Sequence, residues 1–355
     1  MKTIVMAVWN DFDKDDRVKK KAYSLAKHFN VIVQSVCKKP KVRPSKTYTE
    51  NLTVKYYWFS SFFKWLWYRV VNNRNFWKDK IINCDIVDCN DPDTLWLGVL
   101  TKKKHGSDIV YDSHEYWKGT RRTESYFLYT LYSYIGNTLQ YNREKKLVKH
   151  ADRMICVSPT IKKILLQAYN KPISVIANMS SYVKDTDFDK QYSATFIGSY
   201  IRPGVEMVGE AFKKFGTLLV AIGGSPKGDW EKTGFLHKQE FRQKLHHQKF
   251  GICAYKTNCE NIAYSLPNKI FEYIQAECPV IVTRDMIDVA RIVEKEQIGV
   301  IVQSLTPVDI DFAVNELIIN YDTYLTNIQN IKRKYCWEVQ EGKFIKIYED
   351  LVMGL

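Results

Sequence analysis

Residues 265–283 read SLPNKIFEYIQAECPVIVT. The last five residues, PVIVT, form a short continuous apolar run, the pattern of a strand buried on both faces. The segment before them sets Pro-Asn-Lys where an apolar helix begins. At about 100° per residue, Ile270, Phe271 and Ile274 share one helix face, while Lys269, Glu272, Tyr273 and Ala276 share the opposite one. Pro267 suits the first helical turn, where its missing N–H would have had no partner. The amides of Asn268 and Lys269 then leave the helix start without intrahelical acceptors. That is an anion site, reinforced by the helix dipole and the Lys269 ammonium. Glu272, one turn deeper, can accept hydrogen bonds from two neighbouring hydroxyls. Phosphate at the tip and a diol one turn along describe a nucleoside diphosphate. The same residues also fit a helix start whose Lys269 and Glu272 form a surface pair three residues apart.

Similar apolar runs recur on both sides of this stretch. They are TIVMAV (3–8), VIVQSV (31–36), VKYYWF (54–59), IVDCND (86–91), IVYDSH (109–114), RMICVS (153–158) and ISVIAN (173–178). After the polar stretch 183–191 the pattern restarts with ATFIGS (194–199), TLLVAIG (217–223), FGICAY (250–255), PVIVT (279–283) and GVIVQS (299–304). Apolar strands alternating with helical patterns predict parallel sheets covered on both faces. The restart predicts two in tandem, with a cleft between domains. The expected division is 1–185, 186–336 and a C-terminal helix 337–355 that packs back on the first domain. Polar and glycine residues gather after the strands, at the edge where open α/β sheets bind ligands: Trp9 to Asp11, Asn90 and Asp91, Ser113 to Glu115, Gly198 and Ser199, Gly223 to Ser225.

The 355 residues carry a net charge of +14 and 14% aromatic residues, which points to anionic partners without naming them. The eight cysteines show no Cys-x-x-Cys or zinc spacing and read as buried, reduced thiols of a cytoplasmic protein. The run at residues 1–8 reads as a strand and not as a signal sequence. No apolar run has the ~20 residues of a membrane span. Dinucleotide and P-loop glycine motifs are missing, which makes those enzyme classes poor readings.

The opening stretch resembles the donor-binding helix of GT-B glycosyltransferases, in the branch similar to family GT4. Further segments carry the same resemblance in the same order: NDFDKDDRVKKKAYSLAKHFNVIVQSV (10–36), NDPDTLWLGVLTKKKHGSDIVYDSHEYW (90–117) and FIGSYIRPGVEMV (196–208). The resemblance implies a GT-B α/β fold of two Rossmann-like domains, the acceptor on the first and the nucleotide sugar on the second. It implies that Glu272 holds the ribose hydroxyls and that Pro267, Asn268 and Lys269 form the diphosphate site. Gly198 and Ser199 would let a loop approach the phosphates, Arg202 would add a second cation, and Gly223 and Gly224 would shape the base pocket. His114 would meet the transferred sugar, oriented by Asp112 and Glu115. Asp13, Asp16 and Arg17 would stand where the acceptor hydroxyl arrives. The family's first glutamate, eight positions before Glu272, is here Tyr264, with Glu260 nearby as a substitute.

The implied activity is transfer of a sugar from a UDP- or GDP-sugar to a hydroxyl of a glycan or lipid-linked saccharide in polysaccharide biosynthesis. It would be retaining, with no metal and no cofactor. An epimerase of the same fold, a metal-dependent transferase using Asp91-Pro92-Asp93, and a basic nucleic-acid-binding protein are the alternatives. No specific nucleic-acid signature is present. Two aromatic, basic segments stand apart. SSFFKWLWYRVV (60–71) fits either a helix packed on the first sheet or an interfacial membrane helix in peripheral contact with an anionic membrane. WKGTRRTESYFLYTLYSYIGN (117–137), with Lys118, Arg121 and Arg122, could dock a lipid-linked acceptor.

Overall fold

The structure is a computed structural model. It describes residues 1–38, 44–120, 127–184 and 189–354, without the side chains of 127–133. Arg121 and Arg122 lie outside the described residues, as does part of the expected boundary at 183–191. The chain divides into two compact units. One comprises Met1–Ala177, Cys259–Asn261 and Glu341–Leu355; the other comprises Asn178–Asn258 and Ile262–Gln340.

The first unit holds eight strands: β1 Thr3–Val8, β2 Asn30–Cys37, β3 Lys46–Thr49, β4 Leu52–Trp58, β5 Ile86–Asn90, β6 Asp108–Asp112, β7 Arg153–Cys156 and β8 Ile173–Val175. Their order is β3-β4-β2-β1-β5-β6-β7-β8, and every pairing is parallel except β3 with β4. Ile4 lies opposite Val31 on one side and Ile86 on the other. The chain leaves β1 in one direction, returns, and leaves in the other, so the order reverses between β1 and β5. The second unit repeats this plan with β9 Gln191–Gly198, β10 Leu218–Gly223, β11 Glu231–Gly234, β12 Gln248–Cys253, β13 Val280–Thr283 and β14 Gly299–Val302. Their order is β11-β10-β9-β12-β13-β14, with the reversal between β9 and β12. Such reversals leave a crevice at the strands' carboxyl ends, because the flanking helices diverge there.

The predicted strands are present, and β1, β5, β6 and β13 are buried on both faces, as parallel sheets require. Two strands were not foreseen. KTYT of β3 and EKTG of β11 are polar edge strands with no apolar run to announce them. Seven cysteines are buried, Cys259 is half-buried, and all eight are free thiols. The last helix, Trp337–Val352, carries Tyr348, whose hydroxyl donates to Asp88 Oδ2 on β5 at 3.0 Å. No described helix is long and apolar enough to cross a membrane.

The helix Phe62–Val70 is capped by Ser61, whose hydroxyl accepts from the Lys64 amide. It buries only Trp65. Phe63 and Trp67 face solvent, so packing of its whole aromatic arc against the first sheet is not what forms.

Candidate functional site

In the second unit the helix Asn268–Gln275 begins after Pro267, which is the cap residue in extended backbone and not part of the first turn. A proline in this place leaves the helix start open. Proline offers no side-chain acceptor, and no side chain caps this end. Lys269 is three residues before Glu272, but its ammonium turns to the sheet. It lies 4.2 Å from the Phe196 ring centre on β9 and 4.8 Å from that of Tyr255 just after β12. The ammonium therefore sits at the β9/β12 reversal and not in a surface pair. A Cβ on Gly198 would stand 3.6 Å from it. Burial lowers the Lys269 pKa to about 8, and the nearby Arg202 charge pushes the same way.

The glycines expected at the site meet one another. A Cβ on Gly223 would come within 3.0 Å of the Gly198 carbonyl oxygen, and one on Gly224 within 2.8 Å. Gly223 also has φ of 101°, which a side chain would strain. The ends of β9 and β10 thus approach backbone to backbone, with Ser199 next in the chain. Lys269, Arg202, Gly198, Gly223 and Gly224 form one neighbourhood around an uncapped helix start.

Tyr273 corrects the expected polar face. It is fully buried and its hydroxyl lies 2.9 and 3.1 Å from Thr195 O and Ile252 O, which share its one proton, while the Ile197 amide donates to it at 3.2 Å. The ring fills the space over Gly251, where a Cβ would come within 2.7 Å. Tyr273 therefore bolts the helix to β9 and β12. A tyrosine within a polar stripe gave no signal of this. Glu272, one residue earlier, is half-buried.

In the first unit His114 follows β6 and is held on several sides. Its Nδ1 is 3.2 Å from Asp91 Oδ2, its Nε2 is 3.1 Å from Asn90 Oδ1 and 3.5 Å from Asp112 Oδ2, and its amide donates to Asp91 Oδ1 at 3.0 Å. Burial pulls the imidazole pKa down and Arg17 opposes protonation, but Asp91 and Asp112 outweigh both and raise it to about 9. Asp112 would be raised by burial, yet Lys21 and His114 hold it well below the usual carboxylate range. Lys21, on the helix Asp16–Leu25, makes a buried ion pair with Asp112. Burial and the Asp112 charge push the neighbouring Asp88 up to about 7.

Asp91 has φ of 64°, unusual for a side-chain-bearing residue and a conformation that functional sites retain at a cost. It aims a carboxylate at the imidazole. Asp93 points elsewhere: Arg69, Arg143 and Gln140 donate to it. The triplet Asp91-Pro92-Asp93 is thus divided between two networks. Among the described residues no cluster of three metal-ligating side chains is present.

Glu115 is not turned to His114. Its carboxylate accepts from Asn261 Nδ2, and Asn261 Oδ1 accepts from the Tyr116 amide at 2.7 Å. Asp91 and Asn90, which the sequence reading did not select as its holders, orient the histidine together with the expected Asp112. Asp13 accepts from Tyr48 through Oδ1 and from Tyr56 through Oδ2, the latter at 3.1 Å. It anchors the unforeseen β3–β4 hairpin to the loop after β1. Arg17 lies close enough to act on His114, Asp91 and Asp112.

Two sheets of this topology, each with a polar constellation at its reversal point, define the GT-B class. Solved structures of similar fold agree. Sucrose-phosphate synthase from Thermosynechococcus elongatus matches with a TM-score of 0.76 at 12% identity over 100% of both chains. HepE of Anabaena, in complex with UDP and glucose, matches at 0.67 and 13% over 100% of both. A trehalose-phosphate synthase from Burkholderia vietnamiensis matches at 0.66 and 8%, over 99% of this chain and 100% of that one. The family model Glycosyltransferase Family 4 matches residues 24–179, and the model Glucosyltransferase 3-like, C-terminal domain, matches residues 224–348. No curated protein matches the sequence. The chain is a GT-B glycosyltransferase that resembles family GT4.

Proposed function

We propose that this glycosyltransferase moves a sugar from a UDP- or GDP-sugar to a hydroxyl of a glycan or lipid-linked saccharide, with retention at the anomeric carbon, in polysaccharide biosynthesis at the cytoplasmic membrane face. The carrying observation is the Lys269 ammonium beside Gly198 at the β9/β12 reversal, next to a helix start with no side-chain cap. In this reading Lys269, Arg202 and the amides of Asn268 and Lys269 bind the diphosphate, and Ser199 follows the close approach that Gly198 permits. Gly223 and Gly224 bound the base pocket and Glu272 takes the ribose hydroxyls. The complex of HepE with UDP and glucose supports a uridine donor.

The reaction breaks the bond from the anomeric carbon to the diphosphate oxygen and forms one to the acceptor oxygen on the same face. The acceptor proton passes to the departing diphosphate. Charge grows on that diphosphate, and fixed cations and amides stabilise it without a metal or cofactor. His114, kept cationic by Asp91 and Asp112, contacts the transferred sugar. Glu115 and Asp13 build the acceptor side, Asp13 through its hold on Tyr48 and Tyr56.

A thermal-shift series with UDP, GDP, ADP and TDP and their sugars tests the donor assignment. A ligand at about a hundred times its Kd stabilises the fold by about 2.7 kcal/mol. A clear rise of Tm with UDP or GDP compounds is expected. No rise with any of them contradicts the donor site.

A further inference from the structure

The helix Phe62–Val70 and the helix Phe127–Leu147 of the first unit border an apolar groove of about 680 Å³. Its walls include Phe63, Leu66, Trp67, Val71, Ile135 and Leu139. Phe63 is 79% exposed, Trp67 55%, Val71 62% and Ile135 50%. These side chains do not hang from a loose segment. Arg143 Nη2 donates to the carbonyls of Arg69 and Val70 at 2.8 Å each, and its Nη1 reaches Asp93 at 3.2 Å. Arg69 donates twice to the same carboxylate, at 3.0 and 2.9 Å, and Gln140 donates to it as well. Trp77 Nε1 donates to the Asp93 carbonyl at 2.8 Å. A buried polar clamp therefore fixes the short helix with its aromatic residues outward.

Two cations line the groove: Lys64, and Arg69, which pairs with the buried Asp93. Residues 51–78 contain Lys55, Lys64, Arg69, Arg74 and Lys78 and no acid, and residues 127–142 contain no charged side chain. Lys64 and Arg74 are exposed. Exposed tryptophan and phenylalanine beside cations match the interface of a bilayer, where rings enter the headgroup region and ammonium or guanidinium groups meet lipid phosphates. We propose that this face docks on an anionic phospholipid bilayer, with Phe63, Trp67 and Val71 entering the interface and Lys64 and Arg74 contacting lipid phosphates. The surface gives the membrane-face placement above its contact, and it does not depend on the donor chemistry.

Vesicle sedimentation of the full chain without donor tests the proposal. Vesicles are phosphatidylcholine alone, or phosphatidylcholine with about a third phosphatidylglycerol. Binding is expected on the anionic vesicles and should weaken as salt shrinks the screening length from about 8 Å to about 3 Å. The double variant Phe63→Ser, Trp67→Ser should lose at least about tenfold in partitioning, given the apolar area removed. Lys64→Glu with Arg74→Glu should remove the dependence on anionic lipid. Thermal melts and circular dichroism establish that each variant is folded. A folded aromatic variant that partitions like the wild type overturns the proposal, and so does a wild-type protein that binds neither vesicle. A wild-type dimer in sedimentation velocity that the same variant makes monomeric also overturns it, because the face then belongs to a second copy. Failure to bind any nucleotide would end the donor reading and leave the vesicle result standing.

Discussion

His114 shows how few contacts set the chemistry of a site. Two carboxylates within 3.5 Å outweigh its burial and raise its pKa to about 9. A histidine raised from about 6.5 contributes stability that is fully present below that value and is lost as pH rises through about 9. Asp91 and Asp112 are shifted the other way by their partners. Their contribution is present above about 3.9 and is lost as pH falls through their folded values. At neutral pH the site therefore holds an imidazolium that can donate but not accept. The rate under kcat/KM conditions should fall as pH rises past about 9, and His114→Gln should lose about a hundredfold or more in kcat and show no such limb. A pH–rate profile checks both. Activity that climbs through this range would make His114 a base. The sequence pointed to His114 from its position after a strand but did not select Asp91 to hold it. Its orientation depends on a left-handed backbone conformation at a residue other than glycine, which no residue pattern announces.

At the scale of elements, burial decided what was legible. Strands such as β1, β6 and β13 are apolar on both faces and stand out as runs, whereas β3 and β11 are polar edges and do not. Missing β3 also hid why Asp13 is engaged, since Tyr48 comes from that strand. The helix Asn268–Gln275 was expected from its apolar face, but its attachment was not. Tyr273 reaches past the polar side to bond three backbone groups of β9 and β12. Tyr273→Phe leaves buried carbonyls short of a donor and should cost about 1–3 kcal/mol. Calorimetric melting should show a lower Tm, together with weaker nucleotide binding because the helix start shifts. An unchanged Tm would mean that ring packing over Gly251 alone fastens the helix.

For the whole molecule, the composition suggested an anionic partner, and the two reversal points show where polar chemistry collects in each unit. Net charge could not distinguish a nucleotide, a lipid surface and a nucleic acid. Local geometry narrows the first of these to one neighbourhood, in which a lysine depressed to about 8 faces glycine backbone. A diphosphate favours the ammonium form, so binding should raise that pKa, take up a proton above about pH 8 and weaken as pH rises further. Titration calorimetry of UDP, or of GDP if the thermal shifts select it, into the full chain and its Lys269→Ala variant tests the account most directly. Loss of one charge-assisted hydrogen bond, about 1.5–3 kcal/mol, predicts an affinity about tenfold to over a hundredfold weaker. An affinity within about twofold of the wild type would contradict the diphosphate role of Lys269 and the donor site built around it.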